Sequence, residues 1–429
     1  MPEKQALHKK SARSSSDCGM VLRHRCLYMK HSFPALEGPY MRHPDTVQEI
    51  VIVGAGLAGL IQARSLQQCG FAPVLVDPRP EAALRLSNAD TRSTALTPRA
   101  VELLGLPEDW LRAHGQRIEE KVVDGGLSPA LDPAQALRLE SGAWVIFNRD
   151  LTGFLLDDMT LDGAFGNAVT DSRIEDGKRV LVLDNQQTLA ARLVIAADGK
   201  DSLLRRREDI ASFPRDFRQT ALTGRIEHAQ PHQGRAFQRF LPGGTVALLP
   251  LADDPRASSF IWVEPTGKAS GLFSLPPAVL ASRLHARFGD ALGAFTAPGD
   301  APAWGQFPLR AHHCETIVGA RLTLIGEAAH SMHPLAGQGL NMTVKDAASL
   351  AAVLADQRRN GLDLGDAQGL QTYQRDRRAE TARFTALTTG LHDVLDRGPA
   401  PLRALAAGGL QLINRLPPVK SLLRREANR

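Results

Sequence analysis

The chain has 429 residues, 43% of them hydrophobic and 23% charged, which is ordinary for a globular protein long enough to form two or three domains. No apolar run reaches the roughly 18 residues that a membrane-spanning helix needs. The formal charge of +5 is concentrated at the ends, because residues 1–48 hold eight Lys/Arg against four Asp/Glu and residues 397–429 hold seven against one. The weakly acidic middle gives no support to a nucleic-acid-binding protein.

Residues 1–48 lack apolar periodicity and are predicted to be a disordered N-terminal extension. Three interpretations stay open: Met41 is the native start, the basic serine-containing segment is a targeting sequence, or it is a functional arm. The four cysteines show no metal-ligand spacing, which favours a reducing, cytoplasmic location and no metal site. The run His312-His313-Cys314-Glu315 does not change this, since adjacent side chains on an extended segment point in opposite directions.

Residues 49–77 have the pattern of a βαβ dinucleotide-binding unit. An Ile-Val-Ile-Val strand at 50–53 leads into the glycine-rich loop 54–59, a helix follows, and a second apolar strand ends at Asp77. Glycines allow close approach of a pyrophosphate to the helix N-terminus, and an acidic residue at this spacing suits ribose hydroxyls. NAD and FAD both fit this fingerprint.

Three polar positions follow in the middle of the chain. Arg92 precedes a predicted helix, Arg149 begins another, and Asp198-Gly199 directly follows a buried strand. A surface arginine, a solvated helix charge and a simple turn are the respective alternatives to cofactor contact. The triple arginine at 205–207 indicates a solvated face or, alternatively, a patch for an anionic electron donor.

Residues 212–306 change character, with short apolar or alternating segments separated by turn residues. This pattern predicts an antiparallel sheet followed by a helix at 277–288. Aromatic and aliphatic side chains on these strands are either plain core or the lining of a pocket. The candidates are Phe240, Leu248, Trp262 and Phe307.

Residues 322–354 combine a strand, a glycine-containing loop and a helix. The helix N–H groups and dipole favour negative charge, and glycines at 337 and 339 leave room for a flat ligand such as reduced flavin. This loop favours FAD over NAD.

The same loop carries a family resemblance. Gly-Glu-Ala-Ala-His at 326–330 and His-Pro-Leu-Ala-Gly-Gln-Gly-Leu-Asn at 333–341 resemble the second FAD motif of the single-component flavin hydroxylases, most closely those of ubiquinone biosynthesis. The resemblance extends from residue 50 to about 425. One departure is Glu327, where the family has Asp or sometimes Asn against the ribityl hydroxyls.

The resemblance and the glycine patterns together predict the site. The expected FAD-contacting residues are Gly54, Gly56, Leu57, Ala58, Gly59, Asp77, Arg92, Arg149, Asp198, Gly199, Gly326, Glu327, Pro334, Gly337, Gln338, Gly339, Leu340 and Asn341. The backbone at Pro334 and Gly337 is expected to position the isoalloxazine ring for catalysis. His330 is a candidate acid or base, with a structural role as the alternative.

The resemblance implies an α/β fold: a Rossmann-like FAD-binding domain of the glutathione-reductase type, with an inserted antiparallel-sheet substrate domain as in para-hydroxybenzoate hydroxylase. The expected FAD domain comprises residues 49–115, 146–211 and 307–390, and the substrate domain comprises 116–145 and 212–306. A C-terminal helical segment occupies 391–429. Its leucines and basic residues suggest contact with an anionic membrane surface on the cytoplasmic face, or packing on its own body.

The resemblance also implies the activity. NAD(P)H or an electron-transfer protein would reduce FAD, O2 would form a flavin C4a-hydroperoxide, and one oxygen would enter the ring of a polyprenylated phenol. A homodimer or a biosynthetic complex is expected as an assembly. The alternatives are hydroxylation of a small soluble phenol, a flavin reductase or dehydrogenase that works anaerobically, and a non-catalytic accessory protein of a lipid-biosynthesis complex.

Overall fold

The computed structural model describes residues 46–85, 92–299, 304–333, 338–414 and 416–428. The predicted disordered extension lies outside the described residues except for its last three positions. Pro334 and Gly337 also lie outside them.

An eight-stranded mixed sheet carries the cofactor-binding motifs. Gln48–Val53 is buried along almost its whole length, as expected for a parallel strand covered on both faces. In spatial order the strands are Val318–Gly319, Leu322–Leu324, Thr188–Ala196, Gln48–Val53, Val74–Asp77 and Gly163–Phe165, and the first half of Thr188–Ala196 also pairs with Lys178–Leu183, which pairs with Val169–Glu175.

The carboxyl ends of the parallel strands meet at one edge of this sheet, and two long helices begin there. The helix Leu57–Gln68 follows the strand Gln48–Val53. The helix Gly339–Arg359 packs against the helix Leu57–Gln68. Shorter helices are Glu81–Arg85, Pro98–Leu104, Glu108–His114, Asn148–Asp157 and Leu203–Arg207. A three-stranded sheet of Ser93–Leu96, Trp144–Phe147 and Gly115–Arg117 lies alongside.

A second, nine-stranded sheet is antiparallel apart from one pair. Its spatial order is His330–Ser331, Gly305–Cys314, Ser212–His228, Ala257–Pro265, Gly244–Pro250, Arg235–Leu241, Glu120–Asp124 and Leu137–Glu140, with Phe295–Thr296 joined to Ser212–His228. Only Arg235–Leu241 and Glu120–Asp124 run parallel among its described pairs. Gly305–Cys314 bonds to this sheet, although residues from 307 were expected in the FAD domain; the domain boundaries themselves stay a prediction.

The two faces of the second sheet differ, because successive side chains on a strand point to opposite sides. Leu248 and Trp262 lie on the outer face, fully buried beneath the helices Thr266–Phe273 and Pro277–Phe288. These two pocket candidates are therefore core. Phe307 lies opposite Ala221 on the inner face and stays 42% exposed.

The C-terminal region consists of Gln371–His392, the π-helical Asp393–Arg397, Ala400–Ile413 and Pro417–Asn428. Ala407 packs against Gly125, where an added Cβ would lie only 2.3 Å from the Ala407 Cβ. Phe240, another pocket candidate, is buried in a cluster with Leu395, Ala406 and Leu410. Among the helices that the structure describes, none is long and apolar enough to cross a bilayer.

Candidate functional site

Three loops from distant parts of the chain meet at the carboxyl edge of the mixed sheet. The Ala197 N–H donates to the Val53 carbonyl at 2.8 Å, and the Ile325 N–H donates to the Ala196 carbonyl at 3.0 Å. Strand pairing therefore brings the loops that begin at 54, 198 and 326 side by side. Together these loops, with the start of helix Gly339–Arg359, form what we call the cradle.

Glycine is required where the cradle loops touch. Gly54 has φ +102°, and a Cβ there would lie 2.5 Å from the Ala197 carbonyl oxygen. A Cβ on Gly59 would lie 1.8 Å from the Gly54 carbonyl oxygen. Gly326 has φ +55° and approaches Ala58 from the third loop. These glycines allow the close packing of backbone that makes the cradle.

Other cradle glycines face open space. A Cβ on Gly56, Gly199 or Gly339 would meet nothing within 4 Å. Gly56 and Gln338 precede the two long helices, and among the described residues neither N-cap position forms a side-chain capping bond. The first-turn N–H groups of both helices are thus available to an anionic ligand. Leu57, Ala58 and Leu340 are half-buried within these first turns.

Asp198 also has hydrogen-bonding capacity that a bound ligand could use. Its Oδ2 accepts from the Leu203 N–H at 2.9 Å and from the Leu204 N–H at 3.4 Å. Its Oδ1 is buried and has no hydrogen-bond partner in the described part of the chain. A buried carboxylate oxygen without a donor is costly, so a hydroxyl of a bound ligand would satisfy it. The residues of the cradle fit FAD.

Asp77 lies where the fingerprint predicts, at the end of the second strand. Its Oδ2 accepts from the Ala55 N–H at 2.6 Å, and its Oδ1 accepts from the Arg79 side chain at 2.8 Å. Burial alone would raise the pKa of this carboxyl, but the bonds from Arg79 and Ala55 lower it. Asp77 therefore holds the glycine loop as a carboxylate, and its contact with ribose stays a prediction.

Behind Gly326 lies a buried ion network that no local sequence pattern indicates. Asp346 Oδ2 accepts from the Gly326 N–H at 3.2 Å and lies 2.7 Å from His330 Nε2, while Oδ1 accepts from Arg377 at 2.7 Å. Burial would raise the pKa of Asp346, but His330 and Arg377 lower it to about 2. This geometry indicates a structural role for His330 and disfavours the acid or base assignment. Glu327, next to Gly326, is exposed.

Arg92 and Arg149 are brought together beside the cradle. The Asn148 N–H donates to the Arg92 carbonyl at 2.9 Å. The guanidinium of Arg149 stacks 4.5 Å from the Phe147 ring centroid, and the Arg92 side chain is exposed. Asn341 accepts from the Thr97 N–H at 2.8 Å and donates to the Ala95 carbonyl at 2.9 Å. Asn341 thus ties the cradle helix to the strand that follows Arg92.

A chain of buried side chains links His333 to the antiparallel sheet and to the C-terminal segment. His333 Nε2 lies 3.2 Å from Gln219 Oε1, and Gln219 Nε2 donates to Asp396 Oδ2 at 3.0 Å. His333 comes directly before Pro334, Gln219 lies on the antiparallel sheet, and Asp396 lies in the π-helical segment. These partners are 114 and 177 positions apart, so no local pattern could have revealed them.

The triple arginine divides into two parts. Arg205 is buried and donates to the Lys200 carbonyl at 2.6 Å and the Ala328 carbonyl at 2.9 Å, which joins two cradle loops. Both predicted roles are therefore wrong for Arg205, because its guanidinium faces backbone carbonyls. Arg206 and Arg207 are exposed.

The neighbouring histidines point apart. His312 contacts Ser331 Oγ at 2.9 Å and Arg205 at 3.3 Å, while His313 lines a cavity on the other side of the strand. Over the described ranges, no group of three or more His, Cys, Asp or Glu side chains is arranged to hold a metal ion.

Comparisons with known proteins agree with this geometry. A family model described as FAD binding domain matches residues 47–388. The ubiquinone hydroxylase UbiL of Rhodospirillum rubrum is 33% identical over 403 residues, which cover 92% of each chain. The mitochondrial ubiquinone biosynthesis monooxygenase COQ6 of Mus musculus is 28% identical over 434 residues, covering 88% of this chain and 90% of that protein. The structure of p-nitrophenol 4-monooxygenase PnpA from Pseudomonas putida has a TM-score of 0.73 and is 17% identical. The match covers 89% of this chain and 98% of that chain.

The cradle and the matching model together define the class, a monooxygenase that uses FAD. More narrowly, the chain belongs to the family of FAD-dependent hydroxylases of ubiquinone biosynthesis. The predicted α/β fold, with its FAD domain, antiparallel sheet and C-terminal helices, is confirmed, as is FAD as the cofactor. The roles of individual cradle residues stay predictions.

Proposed function

We propose that this protein hydroxylates the aromatic ring of a polyprenylated phenol. The observation that carries the proposal is the cradle itself, three loops with open glycines and an unsatisfied Asp198 oxygen, in a chain similar to UbiL along almost its whole length. Bound FAD, reduced by NAD(P)H or an electron-transfer protein, would supply O2 activation and transfer of one oxygen atom. The protein supplies binding, orientation and exclusion of water.

The chain's own groups divide these tasks. The uncapped helix N-termini at Leu57 and Gly339 would hold the anionic parts of the cofactor, and Asp198 would accept from a hydroxyl of its sugar chain. Gly326 and the Asp346 network behind it fix the third loop. Arg92 and Arg149 remain candidates for the phosphate side.

The inner face of the antiparallel sheet suits an apolar aromatic substrate. By register, Thr223, Ile261 and Ala247 lie side by side on this face. Lys121 lies on the same face opposite Ala236, and it makes no hydrogen bond or ion pair with any residue that the structure describes. Burial lowers the pKa of Lys121. Its amine would therefore bind a phenol oxygen or accept the phenol proton at this face of the sheet.

We also infer that the C-terminal helices contact an anionic membrane surface, from which a lipid substrate would enter. Leu402, Leu405 and Leu412 are exposed on Ala400–Ile413, while Ala406, Ala407 and Leu410 pack on the protein. Leu416 and Val419 extend the exposed apolar row, with Lys420 and Arg424 nearby. An apolar row beside basic side chains suits anionic lipid.

Turnover of matched phenols tests the substrate class. A prenylated phenol in mixed micelles should give a kcat/KM at least tenfold above that of the same ring without the prenyl chain, because apolar burial adds roughly 0.8 kcal/mol per CH2. A carboxylated soluble phenol serves as the competing substrate. Faster turnover of that phenol would overturn the assignment and favour a hydroxylase of small soluble phenols.

A further inference from the structure

A cavity lies on the helix Gln371–His392, bordered by His313 of the strand Gly305–Cys314. Its volume is about 610 Å³, and its polar lining is His313, Gln371, Thr372, Gln374, Arg375 and Arg378. These six side chains include two guanidinium groups and an imidazole, and no carboxylate. The cavity is therefore lined by hydrogen-bond donors and positive charge.

Two of the lining groups have unmet hydrogen-bonding capacity. Arg378 Nε and His313 Nδ1 are both buried, and neither has a hydrogen-bond partner within the described stretches. Leaving a buried polar group without a partner costs about 1–3 kcal/mol, so two beside one cavity indicate a bound group that supplies acceptors.

The fold aims these groups at the cavity. His313 follows His312 on the strand Gly305–Cys314, and because His312 turns toward Ser331 and Arg205, His313 must face the helix. Arg378 itself lines the cavity, whereas the guanidinium of the preceding Arg377 is committed to Asp346. Arg375, one helical turn earlier, is largely exposed and pairs only with the exposed Asp376 at 3.2 Å among described partners.

The chemistry of the lining selects a small oxyanion. Guanidinium groups bind phosphate oxygens with paired N–H donors, and an imidazole N–H adds a third direction. Burial, then Arg378 and His330, lower the pKa of His313, so its ring is neutral near pH 7 and its Nδ1 can carry the donating hydrogen. Gln371 and Thr372 add neutral donors at the rim.

We propose that this cavity binds a phosphate group, with Arg375, Arg378 and His313 Nδ1–H as its donors. The phosphate is either free inorganic phosphate or a phosphate monoester on a small molecule such as a nucleotide. Both sources present the same tetrahedral oxyanion, and the site needs only that group.

Isothermal titration of the FAD-loaded protein tests the site. Inorganic phosphate should bind at one site with a millimolar or lower Kd, and Arg375→Ala and Arg378→Ala should each weaken it at least tenfold. Arg383→Ala is the matched control, because Arg383 is exposed on the same helix but outside the cavity. It should change the Kd less than twofold.

The outcomes separate cleanly. No phosphate binding by the wild type, or equal weakening by Arg383→Ala, would overturn the proposal. If Arg378→Ala unfolds, Arg375→Ala decides alone, since its exposed side chain is not needed for folding. NADPH and NADH titrated in parallel identify the source: a preference for NADPH that Arg375→Ala abolishes assigns the phosphate to the nucleotide, and equal binding of the two with phosphate retained assigns it to the free ion.

Discussion

At the scale of single residues, two kinds of glycine build the cradle. Gly54, Gly59 and Gly326 allow loops to touch, and their replacement would disturb the fold. Gly56 instead faces open space with φ −73°, a conformation open to any residue. Its substitution therefore separates cofactor binding from folding.

Gly56→Val should leave the fold intact and weaken FAD binding at least tenfold, because the branched side chain would fill the approach to the helix N-terminus. Visible absorbance after purification and the melting temperature of the apoprotein measure the two effects. Gly271→Val is the control, since Gly271 also faces open space but lies on the helix Thr266–Phe273, which packs on the antiparallel sheet. Full flavin occupancy in Gly56→Val would contradict this account of the cradle.

His312 gives the protein a predictable dependence on pH. Burial, then Arg205 and His330, lower its pKa from 6.5 to about 4. Between these pH values the unfolded chain binds more protons than the folded one, so stability falls as pH drops through that window.

His312→Gln should therefore reduce the loss of unfolding free energy between pH 7.5 and pH 5 by about 1–2 kcal/mol. Urea unfolding of the FAD-loaded protein at both pH values measures this difference. His114→Gln, at an exposed histidine, should leave the pH dependence as it is in the wild type. The same slope in His312→Gln and wild type would show that folding leaves the pKa of His312 unchanged, and would contradict this explanation.

At the scale of elements, the sequence predicted what local patterns encode. The strand, glycine loop, helix and Asp77 were readable because they lie within about 30 residues, and the strand ending at Asp198 because its apolar run is continuous. The sequence does not assign Trp262 to the core or to a pocket. Alternating side chains define the two faces of a sheet, but they do not show which face the helices cover. The Asp346–Arg377 and His333–Gln219–Asp396 links depend on tertiary packing, which leaves no periodic signal.

Gln219 connects three elements, because its side chain bonds to His333 and to Asp396 of the C-terminal segment. Gln219→Leu should destabilise the protein by about 1–3 kcal/mol, since His333 and Asp396 each lose a buried bond. It should also increase the fraction of NAD(P)H that is oxidised without forming product, because His333, directly before Pro334, loses its bond to Gln219. Gln238→Leu, on the inner face of the strand Arg235–Leu241 in the same sheet, is the comparison. If Gln219→Leu leaves the ratio of product formed to NAD(P)H oxidised unchanged, Gln219 does not position the residues around Pro334.

In the molecule as a whole, the C-terminal helices present a row of exposed apolar side chains. Leu405 and Leu412 are 72% and 54% exposed on a helix whose other side packs on the substrate sheet. That arrangement places the exposed apolar row beside the antiparallel sheet.

The double variant Leu405→Ser/Leu412→Ser should lose most binding to vesicles that contain anionic lipid, with little change in melting temperature. Co-sedimentation measures binding, and Leu362→Ser, at another exposed leucine, should bind as the wild type does. Absence of vesicle binding by the wild type would refute the membrane-contact proposal and leave the cradle unaffected.

We propose that the FAD cradle serves oxygen insertion into a prenylated phenol. Incubation of the FAD-loaded protein with a polyprenylated phenol, NAD(P)H or a reducing partner protein, and ¹⁸O₂ tests it directly by mass spectrometry. The account predicts a product that gains one oxygen atom carrying the ¹⁸O label. Product labelled from water, or turnover that continues without O2, would contradict it.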